Sequence, residues 1–391
     1  MRRRTALFGA ASVLTAAATS AVGSGEPALA VGADDRGATG ADRRAPGCRR
    51  LAIMGADVSS LPKSEDHGAV YRTGTGRRVD ALNLLHASGV NAVRLKVWVH
   101  PADGYNTIER ILPVAARAKR LGMGLMVDFH YSDGWADPGK QIKPAAWSGF
   151  SVPQLQQAVH DHTFEVLHAL RAQGTPADLA QIGNEINGGM LWPDGDYNHW
   201  DNLAGMLIAA STAVKRASRS TRVVVHLAEG GNNGGHRWWL DNALARGVPF
   251  DVIAVSHYLY WHGPVANLQA NLIDLAARYD RDVLVAETAY GFTTAQDDAE
   301  PQIFTPALAA AAGVPATPAG QADALRTVCD AVAAVPDRRG LGVFYWEPTW
   351  TAVAGSGWDP NDPASGNGWE NQALFDFDDR ALPALSVFGE Y

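Results

Sequence analysis

Beyond residue 50 the chain alternates two kinds of segment. Short runs rich in apolar and β-branched residues have the length of strands buried on both faces: "LAIMGAD", "NAVRLKVWV", "GLMVDFHY", "DLAQIGNE", "RVVVHLAEG", "DVIAVSHY", "DVLVAETAY" and "GVFYWEP". Between them lie stretches such as "RVDALNLLHASG", "IERILPVAARAKRLG", "PQLQQAVHDHTFEVLHALRAQG", "MLIAASTAVKRAS" and "NLIDLAARYD". Their apolar positions recur every three or four residues, the period of a helix with one buried face. Several stop at a glycine (Gly89, Gly122, Gly174, Gly247), which tolerates the left-handed turn that ends a helix. The rhythm predicts an α/β fold, a single-domain (β/α)8 TIM barrel over residues 48–391, with the tail "LPALSVFGEY" as its last helix. An open doubly wound sheet competes, but "GADVSSLP" is not the glycine-rich phosphate turn that would follow its first strand.

The N-terminus breaks this rhythm. "MRRR", then "ALFGAASVLTAAATSAVG", then "ALA" at Ala28–Ala30 reads as a basic, apolar and cleavable secretory signal over residues 1–30. The expected location is therefore extracellular, and Arg3-Arg4 leaves the Sec and twin-arginine routes both open. Residues 31–47 lack large apolar groups and are expected to be a flexible lead-in. Cys48 and Cys329 allow one disulfide in an oxidising compartment, and two separate thiols is the equal alternative.

Composition narrows the partners. A net charge of −8 gives no basic footprint for nucleic acid, and no later stretch is long and apolar enough to span a bilayer. The protein is expected to act as a monomer. Twelve Trp and ten Tyr offer flat faces with polar edges, which suit sugar rings.

Chemistry collects at the strand ends. In such barrels the C-terminal ends of the strands feed the loops of the catalytic face. Here those ends carry Asp57, then Arg94, Lys96 and Trp98, then Asp128, His130 and Tyr131. Further along come Asn184 and Glu185, His226, His257 and Tyr258, Glu287, and finally Trp346 and Glu347. Burying so many ionisable groups costs several kcal/mol each unless they are paired. Glu185 ends the fourth strand and Glu287 the seventh, so both can face one cleft. Glycoside hydrolysis needs that pair: one acid for the leaving oxygen, and one carboxylate about 5–5.5 Å away to attack the sugar with retention. Asn184 is placed to bond a sugar 2-hydroxyl, Arg94 to keep the nucleophile ionised, and His257 or Tyr258 to orient Glu287. Trp135, Trp192, Trp261, Trp346 and Trp350 fall just after four of the strands, as stacking subsites for a polymer would, with Trp346 beneath the cleaved sugar.

With these residues in place, the sequence resembles glycoside hydrolase family 53, the arabinogalactan endo-β-1,4-galactanases, in a clan of retaining (β/α)8 enzymes. "DFHYSDGWADPGKQIKPAAW", "QIGNEINGGMLWPDG", "HLAEGGNN", "AETAYG" and "GNGWENQALFDF" carry the resemblance. It implies Glu185 as acid/base, Glu287 as nucleophile, and endo-cleavage of β-1,4-galactan, the side chain of type I arabinogalactan in pectin, without a cofactor. Some members hold calcium between the loops after strands seven and eight. "GFTTAQDDAEPQIF" lacks the acid-His-Asn run for it, so the metal is not carried over, and only Asp297, Asp298 and Asp359 keep it open. The rival readings are an endo-mannanase or endo-glucanase on the same scaffold, and a carbohydrate-binding barrel without catalysis.

Overall fold

Eight parallel strands close into a barrel in the computed structural model, which describes residues 51–391. They are β1 (Ile53–Asp57), β2 (Ala92–Val97), β3 (Gly124–Phe129), β4 (Leu179–Ile182), β5 (Arg222–Leu227), β6 (Val252–Ser256), β7 (Asp282–Thr288) and β8 (Gly340–Trp346). Each pairs with its neighbour in sequence, and β8 closes on β1 with Gly342–Trp346 opposite Ile53–Asp57. The expected signal, the lead-in and Cys48 lie outside the described residues. Cys329 is buried in the helix before β8.

The helices are α1 (Leu61–Asp66), α2 (Ala81–Ala87), α3 (Ile108–Arg120), α4 (Val152–Ala172), α5 (Trp200–Ala217), α6 (Asn233–Ala245), α7 (Val265–Tyr279), α8 (Pro306–Ala312) and α9 (Pro318–Ala333). Of these, α2 to α7 and α9 follow β1 to β7 in turn. The four glycines expected to stop helices all have positive φ, from 73° to 109°. The tail differs from expectation, because Pro383–Gly389 forms a 3-10 helix rather than an α-helix. Proline at its start and glycine at its end confine it to about two turns, a length at which i→i+3 bonds are common. It packs against α9, and its backbone passes so near Gly89 that a Cβ there would lie 2.6 Å from the Phe388 carbonyl.

Alternation along the strands sorts their side chains, since successive residues point to opposite faces. On β2, Val93, Leu95 and Val97 join the layer between strands and helices, while Ala92 faces the barrel interior. The inward apolar set is small: Ala92, Met126, Leu179, Val224, Val252, Ala254, Leu284, Ala286 and Phe344. These fill the N-terminal half. The next inward positions toward the C-terminal ends are Asp57, Arg94, Lys96, Asp128, Gln181, His226 and Ser256, all buried. The barrel is thus oily below and polar above.

Phe344 closes the apolar floor over Gly55, where a Cβ would sit 2.2 Å from the ring. Phe344→Ala should cost about 3–5 kcal/mol through the cavity it leaves. Gly55→Ala should also destabilise, through overlap. Both are read as shifted midpoints in urea unfolding, and an unchanged midpoint for either would contradict this packing.

Candidate active site

Arg94 comes up β2 into the barrel interior and is completely buried. Its Nη1 lies 2.7 Å from Asp57 Oδ2, and its Nη2 lies 2.8 Å from Asp128 Oδ2 and 2.9 Å from Glu287 Oε1. Burial works against the guanidinium charge, but Asp128, Glu287 and Asp57 outweigh it and raise its pKa further. Burial likewise pushes Asp128 up, and Arg94 overrides it, holding that carboxyl at about 2. The remaining acceptors are served locally. Ser59 donates its amide and hydroxyl to Asp57 Oδ1 at 3.1 and 2.5 Å, and Gln181 Oε1 accepts from Arg94 Nε at 3.2 Å. His130 Nδ1 accepts from Trp98 Nε1 and from the Ala136 amide, both at 3.2 Å, so its Nε2–H donates to Asp128 Oδ2 at 3.0 Å.

Glu287 reaches this cluster through a break in regularity. The β6–β7 pairing shifts at Val255/Ser256, bringing Ser256 opposite Glu287, and the β7–β8 pairing shifts again before Thr288. Such an extra residue re-aims a side chain that strict alternation would send outward. Glu287 Oε2 then accepts the Tyr258 hydroxyl at 2.9 Å. Glu185 is aimed by a different device: Gly183 has φ 103°, and Glu185 itself is left-handed at φ 48° and ψ 50°. A non-glycine residue held there is strained, a cost typical of functional sites.

The two carboxyls differ in what surrounds them. Burial raises Glu185 well above the carboxylate range, and the charge of Glu287 raises it further. Burial also raises Glu287, but Arg94 opposes that rise directly. One proton shared between them therefore rests on Glu185, and Glu287 carries the charge.

Aromatic side chains line the mouth in two groups. Trp135 and Trp346 are half-buried with ring centroids 5.8 Å apart. Trp98, Trp350 and Trp369 pack behind them, Trp350 stacked 5.9 Å from Trp135 and Trp369 edge-on 4.4 Å from Trp346. The Lys96 ammonium sits 4.1 Å over the Trp135 ring and 2.5 Å from Glu347, which also takes the Ser60 amide and hydroxyl. The second group is Tyr258, Tyr260 and the exposed Trp261. Trp192 stands apart from both, its indole N–H on Gly188 O at 2.9 Å.

Two expectations need correction. Tyr131 does not face the mouth: it stacks on Phe129, and its hydroxyl meets Thr163 of α4 at 2.8 Å. Alternation puts it in phase with outward-facing Phe129. His257 is out of phase with Tyr258 in the same way. Its ring is buried with neither nitrogen hydrogen-bonded, and only its backbone N–H reaches Glu287, at the carbonyl, 2.8 Å away. Burial lowers its imidazole pKa to about 3. Asn184 is largely committed: Oδ1 accepts from Arg94, and one Nδ2 hydrogen goes to Ala136 O, leaving the second for a ligand. Gln181, Ser256 and Trp369 escaped the sequence reading. A glutamine inside "LAQI" and a serine ending "VIAVS" were visible signals, being polar residues at inward positions of buried strands.

The sequence profile described as Glycosyl hydrolase family 53 matches residues 53–388. The chain belongs to this family. The endo-beta-1,4-galactanase of Bacillus subtilis is 33% identical to it over 380 residues, covering 88% of this chain and 87% of that one. Among solved structures, the GH53 catalytic domain of Ignisphaera aggregans superposes with a TM-score of 0.84 at 41% identity, covering 88% of this chain and 97% of that one. A structure from a study of two fungal beta-1,4-galactanases gives 0.77 at 32% identity, covering 88% and 100%.

The calcium left open by family 53 finds a poor fit among the described residues. Asp298 spends its two carboxylate oxygens on the Glu300 and Asn367 amides, at 2.7 and 2.6 Å, and Asp359 Oδ1 accepts the Asn361 amide. Glu370 ties the loops after β7 and β8 together by accepting from the Asp297 and Asp298 amides and from Gln302. No three acidic, His or Cys side chains converge there as metal ligands. None of the described helices is long and apolar enough to cross a membrane.

Tyr258→Phe tests the electrostatics directly. The lost donor favoured the ionised form of Glu287, so the carboxyl pKa should rise by about one unit. Carbon NMR of labelled glutamate side chains reads the shift, and an unmoved Glu287 would refute the role given to Tyr258.

Proposed function

We propose that this family 53 glycosidase is a secreted, endo-acting β-1,4-galactanase that cleaves with retention, using Glu287 as nucleophile and Glu185 as acid/base. The observation that carries the roles is the unequal footing of the two carboxyls. Glu287 has a guanidinium 2.9 Å away, whereas burial and the charge of Glu287 raise the pKa of Glu185. A nucleophile must be ionised and a general acid protonated, so the assignment follows from charge. Support for galactan comes from similarity over most of the chain to the Bacillus subtilis endo-beta-1,4-galactanase and to a fungal beta-1,4-galactanase structure.

In the first step a Glu287 oxygen forms a bond to the anomeric carbon as the glycosidic C–O bond breaks, and the Glu185 proton passes to the departing oxygen. Glycosylation removes the charge of Glu287, so Glu185 loses one reason to hold a proton. In the second step Glu185 takes a proton from water, whose oxygen attacks the same carbon and releases Glu287. Two inversions restore the β-configuration. Half-buried Trp346 and Trp135 supply faces on which the polymer rests, and exposed Trp261, linked to Trp346 through Tyr258 and Trp369, extends that surface. Export suits a polymeric substrate and follows from the leader pattern. The mature chain is expected to begin near Val31, as intact mass would read.

Digestion of linear β-1,4-galactan, with mannan and cellulose alongside, is the direct test. Short galacto-oligosaccharides appearing first as β-anomers by NMR are expected, and α-anomers or a preference for mannan would sink the proposal. Glu287→Gln and Glu185→Gln should each lower kcat by at least about 10²-fold.

A further inference from the structure

Past Glu185 the chain turns through a 3-10 helix, Ile186–Gly188, and a short hairpin that pairs Gly189–Met190 with Gly195–Asp196 before α5 begins at Trp200. Tyr197 leaves that hairpin 49% exposed, and Trp238 on α6 is 48% exposed. Their ring centroids lie 6.2 Å apart, edge to face, and Trp238 meets Trp200 in the same way at 5.7 Å. Trp200 is buried and packs at 5.6 Å on buried Trp239. Two open rings thus stand on a base of two covered ones. Core packing does not need that much aromatic surface in water, and neighbouring exposed rings mark binding surfaces.

The patch is anchored to the segment that follows Glu185. Trp239 Nε1 donates to Ile186 O at 2.8 Å. The Tyr197 amide donates to Gly188 O at 3.1 Å, the same carbonyl that takes the Trp192 indole. Helices of such a barrel run back from the catalytic face, so the first two turns of α5 and α6, with Trp200 and Trp238, lie near it. Polar groups edge the rings. Asn242 and Arg246 follow Trp238 by four and eight residues, on the same face of α6. The Arg246 guanidinium lies 5.6 Å from the centre of the Trp200 ring and donates to Asp201 Oδ1 at 2.7 Å.

We infer that Tyr197 and Trp238 form a further binding site for β-1,4-galactan, holding the stretch of polymer on the leaving-group side of the cut. The inference rests on the reading of galactan as substrate and of Glu185 as acid/base. A general acid stands beside the departing oxygen, so the sugars released with that oxygen extend past Glu185, over the loops after β4 and β5. A galactose ring has one face of C–H bonds, because its axial C4 oxygen lies on the other. That face fits an open aromatic ring, while the hydroxyls around it reach polar groups such as Asn242 and Arg246.

Kinetics on two substrates test the site. On long linear galactan, Trp238→Ala and Tyr197→Ala should each raise KM about fivefold with kcat held, the mark of binding that ground state and transition state share. On a nitrophenyl β-galactobioside, which has no sugar on the leaving side, both variants should match the wild type. In a gel containing galactan, Glu287→Gln should be retarded more than the same protein carrying Trp238→Ala. An unchanged KM on long galactan in both variants overturns the site, as does a loss on the galactobioside as large as that on the polymer. A wild-type dimer in sedimentation that Trp238→Ala dissociates also overturns it, since a second copy of the chain would then cover the rings. A wild type that leaves linear galactan intact would instead overturn the substrate reading, and this site with it, before any variant is made.

Discussion

The Arg94 guanidinium, sealed inside the barrel, meets Asp57, Asp128 and Glu287 within 2.9 Å. An unpaired charge at that depth costs several kcal/mol, and removing one partner of a buried pair is typically worse than never having built it. The carboxylates and the cation therefore hold one another in place. The same contacts set the two glutamates apart, because Arg94 touches Glu287 while burial raises the pKa of Glu185. Burial raises both carboxyls, and the arginine on β2 opposes that rise most directly at Glu287.

Lys96 repeats the device two residues along β2. It neutralises Glu347 at the end of β8 and lies under the Trp135 ring, so an ion pair braces the aromatic wall. Arg94 and Lys96 share a phase because both follow Ala92 by even steps, and the barrel's polar upper half is the continuation of its apolar lower half. No separate scaffold is needed for the site. It is the top layers of the same inward-facing register.

The functional positions are where that register is broken. A bulge turns Glu287 inward, and Glu185 and Glu347, just beyond β4 and β8, have left-handed backbone with φ 48° and 52°. Strain of this kind persists only where the surroundings over-determine it. Here each strained residue carries a carboxyl held in the buried polar cluster. Left-handed backbone alone does not bring a side chain into the site, for Tyr131 at φ 51° joins the outer layer against Phe129 and Thr163.

The sequence alone was enough for the barrel, since eight buried strand patterns separated by helical periods have few other closed solutions, and it pointed to Glu185 and Glu287 as a pair because both end buried strands beside polar and aromatic residues. It also marked most of the polar ring, because charge at strand ends is visible in a linear pattern. Tertiary structure decided the direction in which each strand-end residue points. One residue of bulge re-aims a side chain without leaving a trace in composition, as at Glu287, and the phase of each strand at its end sends Tyr131 outward while Tyr258 bonds Glu287. It also decided the couplings: Gln181, His226 and Ser256 come from three strands far apart in sequence, and the lateral pairing of those strands brings their side chains together.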